Sequence, residues 1–178
     1  MRVYKREETL SEPVPSFIIH HLSLKQSVLL ELDFLQFQPK LRLTRAGDTT
    51  LVRDPVRRKD VVLTPEELLR QLVLHYLLDV KNYPLNRIRV EIGLKVNGQP
   101  RRGDILVFDP ALKPWLLVEC KSPKVALTEA TFGQAARYNM SLQVPFLAIT
   151  NGLATFCCAM DYAQGGYAFL ADFPSMKD

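Results

Sequence analysis

The chain has 178 residues, 47% of them hydrophobic and 24% charged, a size and balance suited to one globular domain with a sizeable core. No apolar run is long enough to cross a bilayer, and Met1 to Glu8 is too polar and too acidic for a secretory signal, so the expected setting is soluble and cytoplasmic. A net charge of +4 permits a polyanionic partner without requiring one.

In chain order, residues 1–50 read as an N-terminal extension and 51–178 as the domain proper. Ser16 to Leu43 shows no sustained period, and either short strands or a helix around Leu24 to Phe34 fits it. Thr44 to Thr50 reads as a turn or linker. Arg53-Asp54-Pro55-Val56-Arg57-Arg58-Lys59 is a basic run of the kind that more often forms solvated surface than a binding site. At Thr64-Pro65-Glu66-Glu67 a helix begins: Thr64 caps it, Pro65 suits its first position and Glu67 completes a capping box. Leu68, Leu69, Leu72, Val73, Tyr76, Leu77 and Val80 then recur at helical spacing, and Lys81 to Pro84 ends the helix.

Ile88, Val90, Ile92, Leu94 and Val96 alternate with polar residues and glycine, which predicts a strand. Asn97-Gly98 is the preferred two-residue hairpin turn into a second strand, about Arg101 to Phe108. A turn between Asp109 and Pro114 leads to a third strand, Trp115 to Lys121, apolar until Glu119 as a central strand should be. Leu127 to Leu142 reads as a second helix, Phe146 to Thr150 as a strand, and Asn151-Gly152 as a hairpin into Leu153 to Met160. Gly166 to Leu170 suits a sheet edge. This order describes a central mixed β-sheet flanked by helices, an α/β sandwich.

Glu119 and Lys121 are two apart and project from one side of the third strand. The hairpin sets Asp104 on the neighbouring antiparallel strand. Two carboxylates and a backbone carbonyl, that of Cys120, make a partial shell for Mg2+ or Mn2+, with water completing it. Lys121 is then placed to orient an attacking water or to neutralise phosphoryl oxygens. Glu91 either joins this site across the hairpin or forms a cross-strand ion pair. Gln134 and Tyr138, with Arg137 between them, lie one turn apart on the second helix. Arg101 and Arg102 directly precede the Gly103-Asp104 step.

Plainer alternatives exist: Asp104 and Lys121 as a structural ion pair, and Gln134 and Tyr138 as a packing face against the sheet. Cys120, Cys157 and Cys158 form no C-x-x-C pair, and adjacent strand residues face opposite ways, so buried thiols are expected rather than zinc. A nucleophile elbow, a P-loop, a dinucleotide fingerprint and an H-E-x-x-H helix are all missing from the sequence.

Gly103-Asp104, fourteen intervening residues and Glu119-Cys120-Lys121, followed by a helix with Gln134 and Tyr138, resembles the PD-(D/E)XK nuclease superfamily. Arg53 to Lys59, Leu63 to Glu67, Arg102 to Ile105, Val118 to Pro123 and Thr150 to Gly152 resemble more narrowly the N-terminal nuclease domain of type I restriction enzyme R subunits. The resemblance spans about Arg53 to Gly152. It implies a restriction-endonuclease-like α/β/α sandwich and divalent-metal-dependent hydrolysis of DNA in restriction, defence or repair. It further implies catalytic roles for Asp104, Glu119 and Lys121, and nucleic-acid contacts from Gln134, Tyr138, Arg137 and Arg102. DNA is the expected partner, within a homodimer or a larger restriction or repair assembly. The alternative is a non-catalytic or partner-dependent nucleic-acid-binding or subunit-interaction module that retains the fold.

Overall fold

The structure, a computed structural model, describes residues 29–96, 99–140 and 142–176. A short 3-10 helix, Phe34–Lys40, is followed by strands β1 (Leu43–Ala46), β2 (Thr49–Asp54) and β3 (Lys59–Val62), which form a small antiparallel sheet in that order. Helix α1 (Pro65–Asp79) leads to β4 (Ile88–Val96), β5 (Gln99–Phe108) and β6 (Pro114–Cys120). After helix α2 (Glu129–Met140) come β7 (Phe146–Thr150), β8 (Thr155–Asp161) and β9 (Gly166–Phe169). The six strands β4 to β9 lie in sequence order in one sheet, with β9 at an edge. Only the β6–β7 pair is parallel, because α2 carries the chain between them.

Two cores explain this three-layer arrangement. On one face, Leu69, Leu72, Val73, Tyr76 and Leu77 of α1 pack on Ile88, Ile105, Val107, Leu116 and Val118. On the other, Phe132, Ala135 and Ala136 of α2 pack on Leu106, Leu117, Leu147, Ile149 and Phe156. The central strands β6 and β7 alternate between the two cores and are buried on both sides. Adjacent Cys157 and Cys158 divide likewise, one to each core, and all three thiols are free and buried. Trp115 is half-buried and sits edge-on between Tyr83 and Phe146, with ring centroids at 5.5 and 5.3 Å.

The start of α1 is set locally. Thr64 adopts an extended conformation and its hydroxyl accepts the amide hydrogen of Glu67, with Pro65 in the first turn. Thr64→Ala is expected to cost about 1 kcal/mol in a thermal or urea melt. The reciprocal half of the expected capping box is not formed: the Thr64 amide bonds to Val62 O, and the Glu67 carboxylate is drawn to buried arginines instead. Ion pairs with two guanidinium groups outcompete a bond to a single backbone amide at the helix end.

The turn expected over Thr44 to Thr50 narrows to Gly47-Asp48, the flanking residues pairing as the β1–β2 hairpin with Gly47 at φ +59°. Only residues 29–34 of the stretch from Leu24 to Phe34 are described, and they are irregular until the 3-10 helix, whose Phe34 and Phe37 rings meet Tyr76 of α1. The Asn97-Gly98 turn lies outside the described residues. No helix among the described residues is long and apolar enough to cross a membrane.

Candidate active site

The β5–β6 ladder runs to the Ile105–Val118 pair, and Asp104 and Glu119 are the next residues on the two strands, near the end of β6. Both are buried, at 7% and 8% exposure, although carboxylates rarely are without partners. The Asp104 Oδ2 accepts the Cys120 amide at 2.8 Å, fastening β5 to the end of β6 and fixing the Glu119–Cys120 peptide. The Lys121 amide in turn bonds to Thr150 O, so the strand end is held from both sides. The Lys121 ammonium is one-third exposed and lies 3.4 Å from Glu119 Oε2. The other oxygen, Glu119 Oε1, is buried with no hydrogen-bond partner. Burial, reinforced by the charge of Asp104, pushes the Glu119 carboxyl up to about 7, against the pull of Lys121.

Behind the pair lies a network that the sequence reading missed. Asp104 Oδ1 is held at 2.7 Å by Arg70 of α1, and the same guanidinium bonds to Glu67. Glu67 Oε1 also receives Arg57 at 2.5 Å and Gln71 at 2.8 Å. Arg57 reaches Asp54 and Glu91 at 2.6 and 2.9 Å. Asp54, fully buried, accepts two backbone amides, Val56 and Arg57, and the Gln71 amide. Burial works against the charge on Arg70, yet Asp104 and Glu67 outweigh it and hold the guanidinium above its ordinary value. Arg57, part of the basic run expected at the surface, is therefore a largely buried side chain that pins the small sheet to α1. The sequence signal was available: Glu67, Arg70 and Gln71 are polar at three- and four-residue spacing in the first half of a largely apolar helix.

Glu91 sits on the edge strand β4 with φ +48°, a conformation costly for a residue with a side chain. The pleat inverts there: Ile88 and Val90 join the α1 core, whereas Ile92 packs in the α2 core. Its carboxylate lies between Arg57, Arg70 and, at 3.5 Å, the largely exposed Arg102. Asp104 and Lys121 do not form the direct ion pair considered above, since Arg70 takes Asp104 and Glu119 takes Lys121. Gln134 is exposed on α2; the side chains of Arg137 and Tyr138 lie outside the described residues.

Together, five buried or half-buried carboxylates (Asp54, Glu67, Glu91, Asp104 and Glu119) meet three cationic side chains, Arg57, Arg70 and Lys121. The largely exposed Arg102 adds a fourth cation at Glu91. Glu119 keeps a buried oxygen without a partner beside Asp104. Among the described residues no group of three or more His, Cys, Asp or Glu is placed to hold a metal.

Residues 65–174 match the family model described as Type I restriction enzyme R protein N terminus (HSDR_N), from the first residue of α1 to beyond β9. A comparison with curated proteins finds no match.

Proposed function

The chain belongs to the family of type I restriction enzyme R protein N-termini, and on that premise we propose that it is a divalent-metal-dependent nuclease domain that hydrolyses DNA phosphodiester bonds. The observation that carries this reading is the buried acidic pair: Asp104 and Glu119 side by side at a sheet end, with Glu119 Oε1 unpartnered and its carboxyl pushed up to about 7.

In this reading Asp104 and Glu119 hold Mg2+ or Mn2+, with the Cys120 carbonyl beside them. When bound, the cation supplies counter-charge at the scissile phosphate and makes the attacking water more acidic. Lys121, tethered through its amide to β7 and one-third exposed at the rim, presents its ammonium to the phosphoryl oxygens or orients the water. The exposed side chains of Arg102 and Gln134, together with Arg137 and Tyr138 of α2, contact the nucleic acid backbone. Glu91 lies within the arginine network next to the pair, and its share in holding the cation is tested by Glu91→Gln in a metal-binding titration. Partners in this reading are DNA and a restriction assembly.

The experiment is incubation of the purified protein with supercoiled plasmid and labelled single-stranded and flapped DNA, in Mg2+, Mn2+ or EDTA. Scission confined to the metal-containing samples is expected. Binding with no scission in any metal would favour a second reading, a partner-dependent or non-catalytic module. One observation speaks for that second reading: both Asp104 oxygens are already engaged, by Arg70 and by the Cys120 amide.

A further inference from the structure

Arg70 raises a question that the nuclease reading does not answer. Its guanidinium is bonded at 2.7 Å to Asp104 Oδ1, an oxygen of a carboxylate that the nuclease reading assigns to a cation. Arg70 is almost fully buried, and its Nε has no partner, so the side chain is held by charge through its two terminal nitrogens alone. Those nitrogens are shared among four carboxylates: Asp104, Glu67, and at 3.5 Å each Glu66 and Glu91. Three of these four, Glu66, Glu67 and Glu91, are outside the Asp104–Glu119 pair, although the charge of Glu66 still reaches Glu119. They line, with Arg57 and Arg70, a cleft of about 550 Å³ between β3 and the first turn of α1. The guanidinium thus has other acceptors and open space next to it when Asp104 is taken from it.

We propose that Arg70 is a positioning residue that serves as an internal counter-cation for Asp104, and that a divalent cation binds by displacing it from Oδ1 onto Glu66, Glu67 and Glu91. This rests on the reading of Asp104 and Glu119 as metal ligands. The site then exists in two charge-balanced forms. Without metal, Arg70 neutralises Asp104 and prevents two adjacent buried carboxylates from repelling each other unscreened. With metal, Arg70 moves toward the acidic wall of the cleft and Asp104 turns to the cation. Metal affinity is consequently lower than the bare donor set would give, because each binding event must break a buried charge-assisted bond. The strained Glu91, already bonded to Arg57 and within 3.5 Å of Arg70, gains a role as a closer acceptor for the displaced guanidinium.

The test is calorimetric titration of Mn2+ into the wild-type protein, Arg70→Gln and Glu119→Gln, with thermal melts of each in EDTA. In Arg70→Gln, Glu67 keeps Arg57 and Gln71 and Asp104 keeps the Cys120 amide, so the fold retains its other ties. Arg70→Gln is expected to melt lower without metal and yet bind Mn2+ on the order of ten-fold more tightly, a factor set by removal of the competing cation. A purely structural arginine would lower both. Equal or weaker binding by folded Arg70→Gln, while the wild type binds and Glu119→Gln does not, overturns the competition and leaves the metal site standing. Binding that is the same in the wild type and Glu119→Gln, or missing in both, overturns the metal reading itself. Should Arg70→Gln not fold, side-chain nitrogen NMR of the arginine-labelled wild type decides instead. The Arg70 resonances shift with the Mg2+ binding isotherm if it is displaced, and static resonances refute the proposal.

Discussion

Glu119→Gln is expected to make the metal-free protein more stable at pH 8, by about 3 kcal/mol, while eliminating cleavage. The folded chain raises this carboxyl from 4.5 to about 7, burial being the main cause and Asp104 the next. A carboxyl whose folded pKa exceeds its unfolded value holds its proton more tightly when folded. Ionising it therefore costs stability, progressively as pH rises from about 4.5 to 7 and in full above that; a rise of this size corresponds to about 3 kcal/mol. Glutamine keeps the shape and carries no charge, so it removes that cost and forfeits only a long contact with Lys121. Melts in EDTA at pH 4.5 and pH 8 check the sign: the variant and the wild type should be nearly equal at the lower pH and several degrees apart at the higher. A gain in stability bought by loss of a charge is the pattern of a residue kept for function rather than for the fold.

Lys121→Ala is expected to lower the rate of metal-dependent scission by about 10²- to 10³-fold, the usual consequence of removing one preorganised positive group from a site of developing charge. Its stability should change little, because the ammonium is one-third exposed and its recorded partner is Glu119 at 3.4 Å. Single-turnover cleavage kinetics measure the first quantity and a urea melt the second. A variant that loses activity and unfolds together would instead mark Lys121 as structural.

The parts of the molecule that were legible from sequence share a physical cause: each is specified over a short stretch. The alternation from Ile88, the continuous apolar run of β6 and the Thr64-Pro65 helix start depend on neighbours two to four residues away, and β4, β6 and α1 follow them closely. Asp104 and Glu119 were singled out because a hairpin register relates them, and the β5–β6 ladder runs up to the pair just before them, Ile105 with Val118.

What was not legible depends on contacts between segments far apart in the chain. Nothing local distinguishes Arg57, which is interior, from its exposed neighbour Arg58; the difference is that Asp54 turns the chain so that Arg57 meets Glu67 and Glu91. Glu67 satisfies the capping pattern by sequence and abandons it in space, because Arg57 and Arg70 converge on it. Regular alternation through Glu91 gave no hint of its left-handed backbone, which moves Ile92 to the opposite core. The small β1–β3 sheet was obscured by short strands, four to six residues each, with little apolar content.

The most direct measurement is nicking of supercoiled plasmid by wild-type protein and by Glu119→Gln, purified identically and shown to be folded, in Mg2+ and in EDTA. The account predicts nicking by the wild type in Mg2+ alone and none by the variant, despite its greater stability. Equal nicking by both proteins, or none by the folded wild type in any metal, would contradict it.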